Sequence, residues 1–147
     1  MKALIRLATL ADRQWINKCA LKQAAIFYPE FRPDKKRINQ LIIDCISSPA
    51  NYAMVIESDG ELRGCLMAMV GPLPWAERRI ARVLLWVSYV PMEGVRMLRK
   101  FRNWVDSRRG IKVAGLSSDF DWPDIRVSHL IERTGFPKAG ASYMHFN

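Results

Sequence analysis

The sequence of 147 residues contains only two histidines and three cysteines, which limits the metal and redox chemistry that it can support. Cys19, Cys45 and Cys65 lie far apart and form no CxxC pair. A zinc cluster or a dithiol redox motif is therefore not expected. Each cysteine lies in an apolar segment, where a buried free thiol is the usual state. The sequence predicts no metal site, and it favours a reducing compartment.

Long apolar runs are also missing from the sequence. No stretch approaches the roughly 20 apolar residues that cross a bilayer. Charged side chains at Lys2, Arg6, Asp12 and Arg13 interrupt the N-terminal segment, which therefore differs from the apolar region of a signal peptide. We expect a cytoplasmic protein with no membrane partner.

Acidic residues are fewer than basic ones, with 14 Asp+Glu against 23 Lys+Arg and a net charge of +9. A basic balance favours anionic partners such as a phosphorylated cofactor, an acidic protein or nucleic acid, or it serves solubility alone. The sequence contains no fingerprint of a DNA- or RNA-binding family. A nucleic-acid partner is therefore an alternative that rests on charge alone.

The sequence does contain a clear succession of strand and helix patterns. Strands are predicted at Ala3–Ala8, Asn51–Glu57, Glu61–Val70, Arg79–Val90, Lys112–Ser117 and Ala141–Phe146. Helices are predicted to begin after Thr9, after Asp34, near Gly94 and at Trp122. The order β-α-α-β-β-β-α-β-α-β predicts an α/β fold of the α+β type, with a mixed sheet and a single domain over residues 1–147.

Three local signals sharpen this prediction. Thr9 followed by Asp12 is typical of a capping box at a helix start. Asp59 and Gly60 form one of the strongest short signals for a hairpin turn. The wholly apolar run from Val83 to Val87 favours a strand that is buried on both faces.

Four segments resemble, in this order, parts of the GNAT N-acetyltransferase family. They are Ile5–Asp12 as the opening strand and cap, Asp59–Gly64 as a hairpin, Val90–Gly94 as a shortened coenzyme A loop, and Leu130–Phe136 as a late helix ending in Gly-Phe. The resemblance covers nearly the whole chain. It implies a central mixed sheet of six to seven strands flanked by about four helices. Small phage-type members of the family are similar in being basic and in having a shortened loop.

The resemblance implies acetyl-CoA as the cofactor. A strand, a loop and a helix with glycine at its start expose backbone N–H groups that can bind a pyrophosphate. The candidate cofactor-binding residues follow the third long strand, namely Ser88, Tyr89 and Val90 for the pantetheine arm, Met92, Glu93, Gly94, Val95 and Arg96 for the pyrophosphate, and Arg99 for the 3′-phosphate. Alternatively, Gly94 only relieves a tight turn, Tyr89 is a core or rim aromatic, and Arg99 belongs to a solvated helix face.

The chain departs from the family pattern at several positions. Glu93 adds a negative charge beside the expected pyrophosphate. Three basic residues that follow it can offset this charge, namely Arg96, Arg99 and Lys100. Asp124 and Ile131 stand where active members usually carry an asparagine and a tyrosine. An isoleucine cannot protonate the leaving thiolate. Tyr143 is the candidate substitute for this acid.

The candidate general base is Glu57, at the end of the second predicted strand. Glu61 and Glu77 are further candidates near strand ends. An exposed glutamate near a turn is more often only solvated than catalytic.

These observations lead to two main functional predictions. The first is an acetyl-CoA-dependent N-acetyltransferase that acts on a primary amine of a small molecule or a protein. The alternative is a catalytically degenerate GNAT-fold protein, for example a phage virion component or a host-directed inhibitor, located in the host cytoplasm or the virion. In that alternative, Trp75 in its proline-flanked connection is the candidate anchor for protein assembly.

Overall fold

The computed structural model describes residues 3–27, 29–75, 77–116 and 125–137. The strands are β1 (Leu4–Leu7), β2 (Tyr52–Ser58), β3 (Glu61–Pro72), β4 (Arg79–Ser88) and β5 (Ile111–Leu116). The helices are α1 (Arg13–Phe27), α2 (Lys35–Ser47), α3 (Glu93–Ser107) and α4 (Ile125–Arg133), and a short 3-10 turn (Leu10–Asp12) precedes α1. This order confirms the predicted order of elements. The last predicted strand and the predicted start of the last helix at Trp122 lie outside the described residues.

The strands form one mixed sheet in the order β1-β2-β3-β4-β5. The first four strands pair antiparallel, and β4 and β5 pair parallel across the α3 connection. The described residues give a sheet of five strands rather than six to seven. Residues 138–147, where the sequence predicts a further strand, are outside the described part.

Local signals in the sequence account for two of the connections. Asp59 and Gly60 both have positive φ, 53° and 76°, as a tight two-residue hairpin turn requires. The side chain of Asp34 accepts a hydrogen bond of 3.0 Å from the backbone N–H of Arg37 and so caps α2. Both features follow the sequence prediction.

Helices cover both faces of the sheet, so the chain has two apolar layers. One layer, here called the α3 face, contains Ile5, Tyr52, Met54, Ile56, Leu66, Ala68, Met97, Leu98 and Phe101. The other, the α1–α2 face, contains Ile16, Cys19, Ile42, Cys45, Val55, Cys65, Met67, Leu85 and Val87. Alternate residues of β2 and β3 contribute to opposite layers, as the pleat of a strand requires.

The apolar run of β4 is not buried on both faces, so that prediction was wrong. Leu84 is 45% exposed. Met67 pairs with Leu85 and Ala68 pairs with Val83, so a β-bulge leaves Leu84 without an opposite residue in β3. Strand pairing decides the position of a bulge, and an unbroken apolar run carries no signal for it.

The start of the chain is held to the sheet by Arg6. Its guanidinium donates to both oxygens of Asp12, at 2.8 and 3.0 Å, and to Glu57 at 3.0 Å. Asp12 also accepts from the backbone N–H of Thr9 at 2.8 Å. The hydrogen bonds from Arg6 hold the pKa of the buried Asp12 carboxyl below its usual value. This cluster joins β1, β2 and the first turn before α1.

Helix α4 ends at the predicted Gly-Phe motif. Gly135 has a φ of 95°, which favours glycine, and the backbone N–H of Phe136 donates to the carbonyl of Ile131 at 3.4 Å. The ring of Phe136 lies nearly parallel to that of Phe101, with 6.2 Å between centroids. Arg102 donates to the carbonyl of Thr134 at 3.3 Å. The motif therefore docks α4 onto α3.

All three cysteines are buried, as the sequence predicts. None of the helices in the described ranges is long and apolar enough to cross a membrane.

Replacing Asp12 by Asn is expected to lower the free energy of unfolding by about 1–3 kcal/mol at pH 7, because charged hydrogen bonds with Arg6 are lost. The folded-state pKa of Asp12 is depressed, so its stabilisation is present above the ordinary value of 3.8 and is lost as pH falls through the folded pKa. The gap between wild type and Asp12→Asn should therefore begin to narrow below about pH 4 and close as pH falls through the folded pKa. Urea denaturation of both proteins at pH 7 and pH 3 measures this difference in the free energy of unfolding.

Asp106→Asn is the matched control, because Asp106 is exposed and its oxygen lies 3.9 Å from Arg102. It should change the free energy of unfolding by less than about 0.5 kcal/mol. Equal effects of the two substitutions at pH 7 would contradict the proposed role of Asp12.

Candidate functional site

The turn between β4 and α3 is short and partly strained. Four residues separate Ser88, the last of β4, from Glu93, the first of α3. The N–H of Glu93 donates to the carbonyl of Val90 at 3.3 Å and closes the turn. Met92, just before the helix, has a φ of 68°. A methionine in this left-handed region costs about 1 kcal/mol, which a glycine would not. The turn thus holds a residue in the left-handed region without a glycine at that position.

Gly94 lets the first turn of α3 lie directly against β4. A Cβ added to it would be 3.0 Å from the Cβ of Ser88 and 3.6 Å from the indole nitrogen of Trp86. That nitrogen donates to the carbonyl of Gly94 at 3.1 Å. Gly94 is helical and its φ is not positive, so close packing rather than relief of a tight turn explains the glycine.

The first turn of α3 contains two backbone N–H groups with no hydrogen-bond partner in the described part of the chain. They belong to Gly94 and Val95, since the N–H of Glu93 donates to Val90 and that of Arg96 donates to Met92 at 3.4 Å. Gly94 and Val95 are both buried. Buried N–H groups at the positive end of a helix dipole are suited to an anionic ligand.

Glu93 does not leave an uncompensated negative charge at this turn. Its carboxylate accepts from Arg96 at 2.6 Å. The positive charge that offsets Glu93 therefore comes from Arg96 in the same helix, and Arg96 is engaged in this ion pair. Arg99 is exposed on the next turn and has no carboxylate partner among the described residues. Of the two arginines, Arg99 is the one that can meet a further phosphate.

The hydrogen-bond pattern of β4 shows which backbone groups face away from β3. The N–H of Tyr89 donates to the carbonyl of Arg63 at 2.8 Å, so Tyr89 points its backbone groups toward β3. By the alternation of an antiparallel pair, those of Ser88 point to the other side. On that side, β4 pairs with β5 from Arg79 to Val83 within the described residues. Ser88 therefore presents its main chain beyond the pairing with β5.

Two of the predicted arm-binding residues use their N–H groups inside the protein. Tyr89 donates to Arg63, and the N–H of Val90 donates to the hydroxyl oxygen of Ser88 at 3.3 Å. Trp86 lies two residues before Ser88 on the same face of β4, and it contacts Gly94. It was not singled out as a site residue from the sequence, because its position depends on how β4 pairs with β3.

The side chain of Tyr89 lies at the rim of the structure. It is 52% exposed, and its ring meets the ring of Trp15 edge-on at 6.5 Å. The ammonium group of Lys22 lies 5.7 Å from the centre of the ring. The side chain of Tyr89 is therefore an aromatic group at the rim, which was one of the alternatives drawn from the sequence. Its neighbours Trp15 and Lys22 both belong to helix α1.

The structure does not bring Glu57 to the β4–α3 turn. Its neighbour Ile56 pairs with Gly64, which in turn pairs with Ser88, so β3 lies between them. The Glu57 carboxylate accepts from Arg6. Glu61 is exposed and pairs with Arg63 at 2.8 Å. The described residues thus place neither glutamate beside the helix start, and Glu77 lies exposed in the β3–β4 connection.

The other predicted catalytic positions have different outcomes. Tyr143 and Asp124 lie outside the described residues. Ile131 is 9% exposed and belongs to the core of the α3 face. The side chain at this position of α4 is therefore packed in the core.

No family model and no curated protein matches the sequence, but many solved structures share its architecture. A predicted acetyltransferase with acetyl-CoA from Clostridium acetobutylicum superposes with a TM-score of 0.74 at 14% identity, covering 99% of this chain and 96% of that one. Glucosamine-6-phosphate N-acetyltransferase from Arabidopsis thaliana gives 0.72 at 10% identity, covering 99% of both chains. The chain has the fold of the GNAT acetyltransferases.

Similarity at this level of identity shows the GNAT fold and not the activity. A transcriptional regulator from Bacillus halodurans C-125 superposes equally well, with a TM-score of 0.72 at 17% identity, covering 99% of this chain and 100% of that one. Because one fold hosts several functions, the function has to be argued from the site.

The packing role of Gly94 can be tested by a double-mutant cycle with Ser88. Alanine is the better helix former by about 1 kcal/mol, but its Cβ would press on Ser88. We expect Gly94→Ala to lower the free energy of unfolding by about 1 kcal/mol in the wild type. In a Ser88→Gly background, the same change should be neutral or stabilising. Urea denaturation of the four proteins measures the coupling, and an equal effect in both backgrounds would exclude the contact.

Proposed function

We propose that this chain is an acetyl-CoA-dependent N-acetyltransferase that transfers an acetyl group to a primary amine, and that residues 1–147 act as a single domain. The observation that carries the proposal is the buried start of α3, where Gly94 and Val95 have N–H groups without described partners. This helix start follows β4 in a fold shared with an acetyltransferase that was solved with acetyl-CoA.

In this proposal, the backbone of the β4–α3 turn holds the cofactor and its side chains tune the charge. The N–H groups of Gly94 and Val95 bind the pyrophosphate, with the helix dipole behind them. Arg99 provides a positive charge for the 3′-phosphate. Ser88 offers its main-chain groups to the pantetheine arm, because they face away from β3.

The proposed reaction requires little covalent participation from the protein. Bound acetyl-CoA supplies an activated thioester, and an N–H donor near Ser88 would stabilise negative charge on its carbonyl oxygen. The amine nitrogen forms the new bond to the acetyl carbon as the carbon–sulfur bond breaks. Tyr143 remains the proposed donor of a proton to the leaving sulfur. The proton of the amine leaves through water, because Glu57 is engaged with Arg6.

Calorimetric titration with acetyl-CoA tests the binding step. The variant Glu93→Gln tests whether binding takes place at the start of α3. Removing this carboxylate takes a negative charge from the helix start and releases Arg96. We expect acetyl-CoA to bind about three- to tenfold more tightly at low salt, with the gain falling as ionic strength rises.

Asp106→Asn is the control for Glu93→Gln, because it removes the same charge from the same helix. Asp106 is thirteen residues further along α3, which places it about 20 Å from Glu93. It should leave the affinity unchanged within about twofold. Absence of heat with wild-type protein, or equal effects of the two variants, would contradict binding at the α3 start.

A second function has one observation in its favour. Ile131 is packed in the core, so α4 offers no acid at the position where the family usually has its tyrosine. This favours a catalytically degenerate GNAT-fold module, for example a phage virion component or a host-directed inhibitor. Trp75 is 92% exposed in the β3–β4 connection and is the proposed anchor for assembly.

Turnover with a panel of primary amines separates the two functions, and Tyr143→Phe identifies the acid. If Tyr143 protonates the leaving sulfur, this variant should lose about 10²- to 10⁴-fold in kcat while its affinity for acetyl-CoA is retained. The control is Tyr52→Phe, since Tyr52 is buried on the α3 face against Trp104. Cofactor binding without turnover would support the degenerate module, as would light scattering that shows assembly sensitive to Trp75→Ala.

A further inference from the structure

Strand β1 forms an edge of the described sheet, opposite to the edge that carries β5. Within the described part of the chain, β1 pairs with β2 on one side and has no strand on the other. The N–H of Ala8 donates to the carbonyl of Ala53 at 2.9 Å, which fixes the phase of this pair. By alternation, the backbone groups of Ile5 and Leu7 face outward.

The outward backbone groups are largely available for pairing. Among the described residues, only the carbonyl of Leu7 has a partner on this side, the guanidinium of Arg6 at 3.2 Å. Leu4 and Leu7 are 55% and 63% exposed. Arg6 is the charged residue of β1, and its guanidinium is already engaged with two carboxylates and with the Leu7 carbonyl. Among the described residues, the N–H groups of Ile5 and Leu7 and the carbonyl of Ile5 therefore remain available to a further strand.

A groove runs beside this edge on the α3 face. It has a volume of about 280 Å³ and is lined by residues of β1, β2 and α3, namely Ile5, Arg6, Leu7, Tyr52, Met54, Lys100 and Asn103. Alternate side chains of a strand added next to β1 would enter this groove. The lining combines apolar side chains of the sheet with two basic side chains, and of these Arg6 is already paired with Asp12 and Glu57.

Charge favours an acidic occupant over a second copy of this chain. Lys100 is exposed and has no carboxylate partner in the described ranges. The whole chain carries a net charge of +9. Two copies paired edge to edge would bring equal charges together, whereas an acidic segment would be attracted.

We propose that β1 and its groove are a docking site for an extended acidic segment of a partner protein, which adds to the sheet as a strand and places a carboxylate against Lys100. Main-chain hydrogen bonds to Ile5 and Leu7 supply affinity, and the groove supplies side-chain selectivity. The site is separate from the proposed cofactor site, because β2 and β3 lie between β1 and β4.

The test uses a capped heptapeptide of alternating valine and glutamate, and the same peptide with lysine for glutamate. We expect saturable binding of the glutamate peptide, measured by fluorescence anisotropy, and much weaker binding of the lysine peptide. Lys100→Glu should weaken the glutamate peptide about three- to tenfold and strengthen the lysine peptide. Arg109→Glu is the matched control, since Arg109 is also exposed but follows the far end of α3.

Amide hydrogen exchange shows whether the peptide pairs with the backbone. The glutamate peptide should slow exchange at Ile5 and Leu7, which side-chain contact alone would not do. Equal effects of Lys100→Glu and Arg109→Glu would overturn the proposal, as would unchanged exchange with saturating peptide. Protection of both amides without peptide would also overturn it, because the edge would then be occupied by this chain in a monomer or by a second copy in a dimer.

Discussion

The close contact between the first turn of α3 and strand β4 is the constraint on which the candidate site depends. A glycine at position 94 permits it, and the indole of Trp86 fixes it by donating to the Gly94 carbonyl. The contact buries a helix start whose amides at Gly94 and Val95 have no described partners. Because buried N–H groups are costly without partners, this packing leaves two amides suited to the anionic ligand that we propose.

Much of the fold could be predicted from local sequence, because several signals act over a few residues. Asp59-Gly60 and Asp34 set a hairpin and a helix start through their own backbone and side-chain chemistry. The exposure of Leu84 could not be predicted in this way, because the bulge arises from the register between β3 and β4. Five strands lie within the described residues, and the further strand predicted at Ala141–Phe146 lies outside them.

The candidate turn could be predicted from the sequence, but the direction of its backbone groups could not. The turn before Gly94 stands out in the sequence as a strand-to-helix connection, and the structure has β4 and α3 on its two sides. Which β4 groups face outward depends on the pairing of Tyr89 with Arg63, which no local pattern encodes. The ion pair between Glu57 and Arg6 joins residues 51 positions apart, so its effect on the proposed base is invisible in the sequence.

The most direct measurement is a titration of the labelled protein with acetyl-CoA, followed by the backbone amide chemical shifts. The account predicts that the amides of Gly94, Val95 and Ser88 show the largest changes, that these saturate together, and that free coenzyme A, which carries the same pyrophosphate, produces the same changes at Gly94 and Val95. Shifts that are absent at Gly94 and Val95 at saturating ligand, or that concentrate elsewhere on the surface, would contradict the central claim that the start of α3 is an anion site.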